Sequence, residues 1–359
     1  MINAPRSQPT VIGRRSALLV GAGALGAALS ACSTGPSGDS EVATSEHGGA
    51  TDSAGYPRTI THALGSTEIP APPQRVATVS WANQDIVLAL GVVPVGMTRV
   101  DWGGNENGST DWFDAALDEI GGDEPVQFSE TDGLDTEAIA EVQPDLIVGA
   151  YSGLTAEQYQ ELSKIARVIA YPEGDVPFGT AWQDATTLVG EALGREQEAA
   201  ALIEEVESAI ASAAEKHTEL AGTTFLYGTI DPAAADQISI YTAVDNRPRF
   251  LTELGMENPP FLEENTPDDE TFFFTWSPER ADELDADVII TWAADDKVGT
   301  TIATDPLLKK IPAVQAGTLV LQTDPAQVLS ISAASPLSIP WALEHTLPAI
   351  AEAAATARS

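Results

Sequence analysis

Residues 180–220 hold two successive helix-length patterns with no strand-like segment and no substantial loop, and α/β material lies on both sides of them. In the first pattern Trp182, Ala185, Leu188, Val189, Ala192 and Leu193 recur at spacings of three and four, which places an apolar stripe on one helix face, and Gly194 reads as its stop. In the second, Ala199, Leu202, Ile203, Val206, Ala209, Ile210 and Ala213 repeat the spacing, while glutamates such as Glu196, Glu198, Glu204, Glu205 and Glu215 form a solvated side. A helix of this length spans roughly 30 Å. Such a rod between two α/β segments forces a bipartite molecule.

The flanks share a scheme. Glu137 precedes by eight residues the Asp145 of Asp145-Leu146-Ile147-Val148, and Glu279 precedes by eight the Asp287 of Asp287-Val288-Ile289-Ile290. Each acidic residue is read as opening a short helix that feeds a buried apolar strand. With 359 residues, 43% of them apolar, the chain has material for two cores.

The first 31 residues stand apart, with three arginines, no acidic residue and an apolar stretch from Ala17 to Ala31. Arg14-Arg15 before a short apolar core predicts a twin-arginine export signal. Leu29-Ser30-Ala31-Cys32 resembles the lipobox of bacterial lipoproteins, which implies cleavage before Cys32 and lipidation of it, and Cys32 is the only cysteine. Gly21-Ala22-Gly23-Ala24-Leu25-Gly26 satisfies a dinucleotide-binding pattern, but that pattern needs a preceding strand, so it is rejected here. Residues 32–55 have the Gly-, Ser- and Thr-rich composition of a flexible tether.

The 17 basic residues include the three early arginines, so 14 basic and 54 acidic residues follow Ala31, a formal charge of −40. That field repels nucleic acid and acidic lipid surfaces, so no nucleic-acid partner is expected and the membrane is reached only through the lipid on Cys32.

The expected fold is α/β, with two Rossmann-like lobes, each a mainly parallel sheet flanked by helices, joined by a long rigid helix. The expected boundaries are an N-terminal lobe at 56–195, a linking helix at 196–218, a C-terminal lobe at 219–350 and a tail at 351–359. Strands are read at 75–79, 92–97, 146–148 and 168–171 in the first lobe, and at 224–227, 237–241, 288–291 and 319–322 in the second. Helices at 249–254 and 307–310 lie between the latter. In open parallel sheets ligands sit beyond the carboxyl ends of strands, which puts the site between the lobes. Residues just after strands are therefore the ligand-binding candidates: Trp81, Trp102, Tyr151, Tyr241, Trp292, Arg247 and Arg249. A guanidinium can clamp a carboxylate or catecholate oxygen at two points, although a solvated helix start would also place arginines there.

These features together carry a resemblance. Twin lobes joined by a helix, Arg75-Val76, Leu90-Gly91-Val92-x-Pro94-Val95-Gly96, Pro144-Asp145-Leu146-Ile147 behind Glu137, Trp276-Ser277-Pro278-Glu279 ahead of Asp287-Val288-Ile289, and a lipobox look like the substrate-binding proteins of ABC importers for iron-siderophores, vitamin B12 and haem. The resemblance covers residues 56–350. It implies that Glu137 and Glu279 dock onto arginines of a dimeric membrane permease, though first-turn carboxylates answering a helix dipole would look the same.

It also implies a monomeric, exported protein, lipid-anchored on the outer face of the bacterial cytoplasmic membrane, that holds a ferric siderophore without cofactor or chemistry. A siderophore saturates its iron, so aromatic walls and a few cations suffice. Capture of a bare metal is disfavoured because His47, His62, His217 and His345 are scattered, and no metal ligand is assigned. Haem would take an axial Tyr or His, and Tyr151 or Tyr241 could serve, while cobalamin also suits an aromatic cleft. A surface hydrolase is the rival class, yet no G-x-S-x-G elbow occurs, no catalytic residue is assigned, and acidic pairs are too abundant to be informative. A purely adhesive or sensory lipoprotein is the third class.

Overall fold

The computed structural model describes residues 55–233 and 237–359. The expected export signal with Arg14 and Arg15, the lipidation site Cys32 and the tether up to residue 54 lie outside the described residues. A short antiparallel hairpin comes first, β1 (Arg58–His62) and β2 (Gly65–Ile69). In chain order there follow β3 (Val76–Thr78), α1 (Asn83–Ala89), β4 (Gly96–Thr98), α2 (Asp111–Ile120), β5 (Val126–Phe128), α3 (Thr136–Glu141), β6 (Leu146–Val148), α4 (Ala156–Leu162) and β7 (Arg167–Ile169). The five strands after the hairpin form one wholly parallel sheet in the order β5-β4-β3-β6-β7. Its central strands β3, β4 and β6 are buried at every residue, as strands covered by helices on both faces must be.

Next come α5 (Trp182–Leu193) and α6 (Glu196–Lys216). Gly194 ends α5 at φ 69°, a left-handed conformation that a side chain would resist. Glu196 and Glu198 occupy the first turn of α6 and Lys216 the last, both favourable against the helix dipole. Ala199 of α6 is buried in the core of the first lobe and Val206 and Ile210 in the core of the second, while Leu202 packs against both.

The second lobe runs β8 (Phe225–Thr229), β9 (Ile238–Tyr241), α7 (Asn246–Glu253), α8 (Pro260–Asn265), β10 (Phe273–Trp276), a 3-10 segment Pro278–Glu283, β11 (Val288–Trp292), α9 (Lys297–Thr304), a 3-10 turn Leu308–Lys310, α10 (Pro312–Ala316), β12 (Leu319–Gln322), α11 (Pro325–Ser332), α12 (Ser338–His345) and α13 (Leu347–Ala357). Its sheet order is β10-β9-β8-β11-β12, with β9 antiparallel to both neighbours, so one strand of five is reversed.

Beyond shifted strand ends, such as β4 at Gly96–Thr98 against the expected 92–97, three sequence expectations change. Residues 351–359 are no tail: α13 continues to Ala357, and Ala351, Ala353 and Ala354 are buried in the second core. Alanines favour the helix and allow close approach, but they carry no strong apolar signal. The segment at 307–310 is a single 3-10 turn, held at its start by the Asp305 carboxylate, which accepts from the Leu307 and Leu308 amides, and followed at once by Pro312. The helix expected from Arg249 begins at Asn246, because Asp245 caps it by accepting from the Arg247 amide.

The lobes also meet away from α6. Met97, Trp112 and Tyr151 of the first lobe pack with Leu329 and Ala333 of α11 and its end in one apolar cluster. Across the same seam Tyr151 Oη donates to the Ser332 carbonyl at 2.9 Å, and Ser335 Oγ donates to Asp85 Oδ2 at 2.8 Å. No helix among the described residues is long and apolar enough to cross a membrane.

Candidate ligand-binding site

A cavity of about 670 Å³ opens between the lobes, within the size range of clefts that hold drug-sized ligands. Its first-lobe wall is built at the carboxyl ends of β3, β4, β5 and β6 and in the segment entering α5. Ser80 and Ala82 have φ of 64° and 63°, so Trp81 is presented between two left-handed residues, with 43% of its surface exposed. Strained backbone of this kind persists only where the surroundings hold it, and here the Ser80 amide donates to Glu130 Oε1 at 2.9 Å.

Trp102 stands beyond β4 on a Gly-rich loop, whose pose is set by the Val100 amide donating to the Gly108 carbonyl and by Asn105 donating to Asp111 and Asp114. A Cβ on Gly103, at φ +73°, would lie 2.8 Å from the Pro325 carbonyl oxygen, so only glycine lets this loop touch α11. Phe178, at φ 59°, closes the edge of the cleft against Tyr151, their ring centroids 6.1 Å apart.

Four of the seven sequence candidates line this cavity: Trp81, Trp102, Tyr151 and Arg247. Three do not. Trp292 stands behind Trp102, edge to face with centroids 5.9 Å apart. Tyr241 lies under Arg247, whose guanidinium carbon sits 3.4 Å from the ring centroid. Arg249 donates to the Gly179 carbonyl at 2.6 Å and so ties α7 to the segment before α5 instead of reaching a ligand.

Arg247 lines the cleft, but it does not offer the free two-point clamp expected of it. Its Nε and Nη2 already donate to the two oxygens of Asp245, at 2.8 and 2.6 Å. Burial acts to lower its pKa, yet the hydrogen bonds and charge of Asp245 prevail and raise it, so the guanidinium stays charged beside its partner. Tyr151 is held as a neutral phenol, its pKa raised chiefly by burial and then by the charge of Asp245. Its oxygen donates to the Ser332 carbonyl, and the Tyr241 oxygen lies 3.2 Å from Thr229 Oγ1, so both hydroxyls are engaged within the chain.

The sequence reading missed Glu130, Phe178 and Phe272 in the lining. Glu130 follows β5, a three-residue strand without pattern, and Phe178 sits in an irregular segment, so the rule of searching strand ends had no strand to work from. Finding β5 first would have pointed to Glu130. Among the described residues no group of three or more His, Cys, Asp or Glu side chains could hold a metal.

Glu137 and Glu279 both lie in first helical turns, on α3 and on the 3-10 segment after β10, and both are exposed with no side-chain hydrogen bond to a described residue.

With this geometry in hand, the likeness to known proteins is informative. The family model for periplasmic binding proteins matches residues 76–326. This chain belongs to that family. As a periplasmic binding protein it falls in a class that binds solutes. It is 28% identical over 305 residues to the probable siderophore-binding lipoprotein YfiY of Bacillus subtilis, covering 80% of this chain and 84% of that protein. It is 26% identical over 275 residues to the ferric enterobactin-binding periplasmic protein FepB of Escherichia coli, covering 74% and 84%. Among solved structures, Streptococcus pneumoniae PiaA in complex with ferrichrome superposes with a TM-score of 0.77 at 37% identity, over 83% of this chain and 99% of that one.

Proposed function

We propose that this protein captures a ferric siderophore in the cleft between its lobes and delivers it to the permease of an ABC importer. The observation that carries the reading is the cavity itself: about 670 Å³, walled by Trp81, Trp102 and Tyr151 at strand ends and by Phe178 before α5, in a periplasmic binding protein. A ferric siderophore brings its own hard oxygen shell to the iron, so the protein needs aromatic area and hydrogen-bonding groups and no metal ligands of its own. YfiY, FepB and PiaA, by what they are named or shown to bind, support the same ligand class.

The wider arrangement is part of the same proposal. Export through the Arg14-Arg15 signal and lipidation of Cys32 would hold a monomer at the outer face of the cytoplasmic membrane. Glu137 and Glu279, one on each lobe, would meet cationic partners on a two-fold permease, with charge fixing the register. No chemistry is required of the protein, since binding and presentation complete the task.

Tryptophan fluorescence is the test. Ferrichrome and other ferric siderophores should quench saturably, and Trp81→Ala or Trp102→Ala should each weaken binding by about tenfold through lost aromatic contact. Absence of a response to every ferric siderophore, with saturable quenching by haem or cobalamin, would overturn the reading.

A further inference from the structure

The buried cation of the cleft is already committed to a carboxylate of this chain, whereas Arg99 and Asp101 form an exposed pair that solvent weakens. Arg247 is paired with Asp245, and Arg99 donates through Nε to Asp101 Oδ1 at 3.1 Å and through Nη1 to Gln127 at 2.9 Å. Two arginines and three carboxylates line the cavity, which leaves Glu130 in excess. Its Oε1 accepts from the Ser80 amide at 2.9 Å and from Thr98 Oγ1 at 2.8 Å, so the carboxylate is fixed to the wall. Its Oε2 accepts from no described residue, and neither arginine forms an ion pair with it.

From this geometry we propose that the cleft selects by charge: it takes neutral or cationic ferric complexes of the hydroxamate class, with Glu130 Oε2 receiving a ligand ammonium or amide N–H, and it rejects polyanionic ones. The inference rests on the siderophore reading and narrows it. Three hydroxamates neutralise Fe(III), whereas three dianionic catecholates leave the complex triply negative. Such a ligand would have to approach Glu130 with only the exposed Arg99 to offset it, or pull Arg247 from Asp245, and either route costs binding. A formal charge of −37 on the whole chain adds repulsion at long range, weakened by salt.

Ferrioxamine B, a ferric tris-hydroxamate with a pendant ammonium, its neutral N-acetylated form, and ferric enterobactin provide the comparison, each titrated by tryptophan fluorescence. The ammonium form should bind about tenfold more tightly than the acetylated form, as a charge-assisted hydrogen bond allows, and the catecholate about a hundredfold more weakly than either. Glu130→Gln keeps an oxygen for the Ser80 amide but loses the charge, and should bring the two tris-hydroxamates within about twofold of each other. Ferric enterobactin binding as tightly as the neutral complex, or a ratio unmoved by Glu130→Gln, overturns charge selection while leaving siderophore capture standing. If none of the three binds while another ferric siderophore does, charge selection falls and siderophore capture stands; if every ferric siderophore fails, capture falls as well.

Discussion

Arg247 shows how a residue that looks poised for a ligand can be occupied from within. Its side chain is 14% exposed and that of Asp245 is 7% exposed, so the pair is largely desolvated. Removing the guanidinium by Arg247→Ala would strand the Asp245 carboxylate and strip the cation from the Tyr241 face, costing about 3 kcal/mol or more. Urea denaturation should show that loss as a lower midpoint with an unchanged slope. An unaltered midpoint would mean the pair contributes nothing to holding the start of α7. The position of Arg247 beyond a strand was legible in the sequence, because strand ends can be found from apolar runs. Its partner was not, since a contact at a separation of two depends on backbone conformation, and the Arg249 contact spans 70 residues, from α7 to Gly179.

The elements were legible in proportion to their length. α5 and α6 hold a 3.6-residue period over 12 and 21 residues, and their ends carry Gly194 and a glutamate-rich first turn. β5 has three residues and no period, and α13 is built from alanines, so one left Glu130 unplaced and the other passed for a tail. A contact between elements yields a pH prediction. Asp85 on α1 accepts from Trp112 Nε1 of α2 at 2.7 Å and from Ser335, which lies between α11 and α12, while its Oδ1 has no partner among the described residues.

Burial pushes its carboxyl up to about 6, against the lowering effect of the Ser335 and Trp112 hydrogen bonds. The unfolded chain releases this proton near pH 4, so between about pH 4 and 6 the folded state binds more protons and stability falls as pH rises. Asp85→Asn should flatten that part of the stability profile and stabilise the protein above pH 6 by up to about 3 kcal/mol, read from denaturant melts across the window. If wild type and variant keep parallel profiles, Asp85 is not the titrating group.

At the scale of the molecule, the cleft and the proposed docking pair occupy separate surfaces. The cleft belongs to the ends of the strands, whereas Glu137 and Glu279 stand exposed on helical first turns outside its lining. Replacing both with lysine should leave ligand affinity in solution unchanged and abolish ligand uptake by cells that depend on this protein. Intact uptake would remove the docking role from this pair.

The helix that bridges the lobes has a consequence of its own. Ala199 is buried in one core, Val206 and Ile210 in the other, and Leu202 touches both, so neither half possesses a complete interior. Severed at α6, each piece would present bare apolar surface to water. The halves therefore share one fate on denaturation, and a guest resting against either wall defends the entire polypeptide.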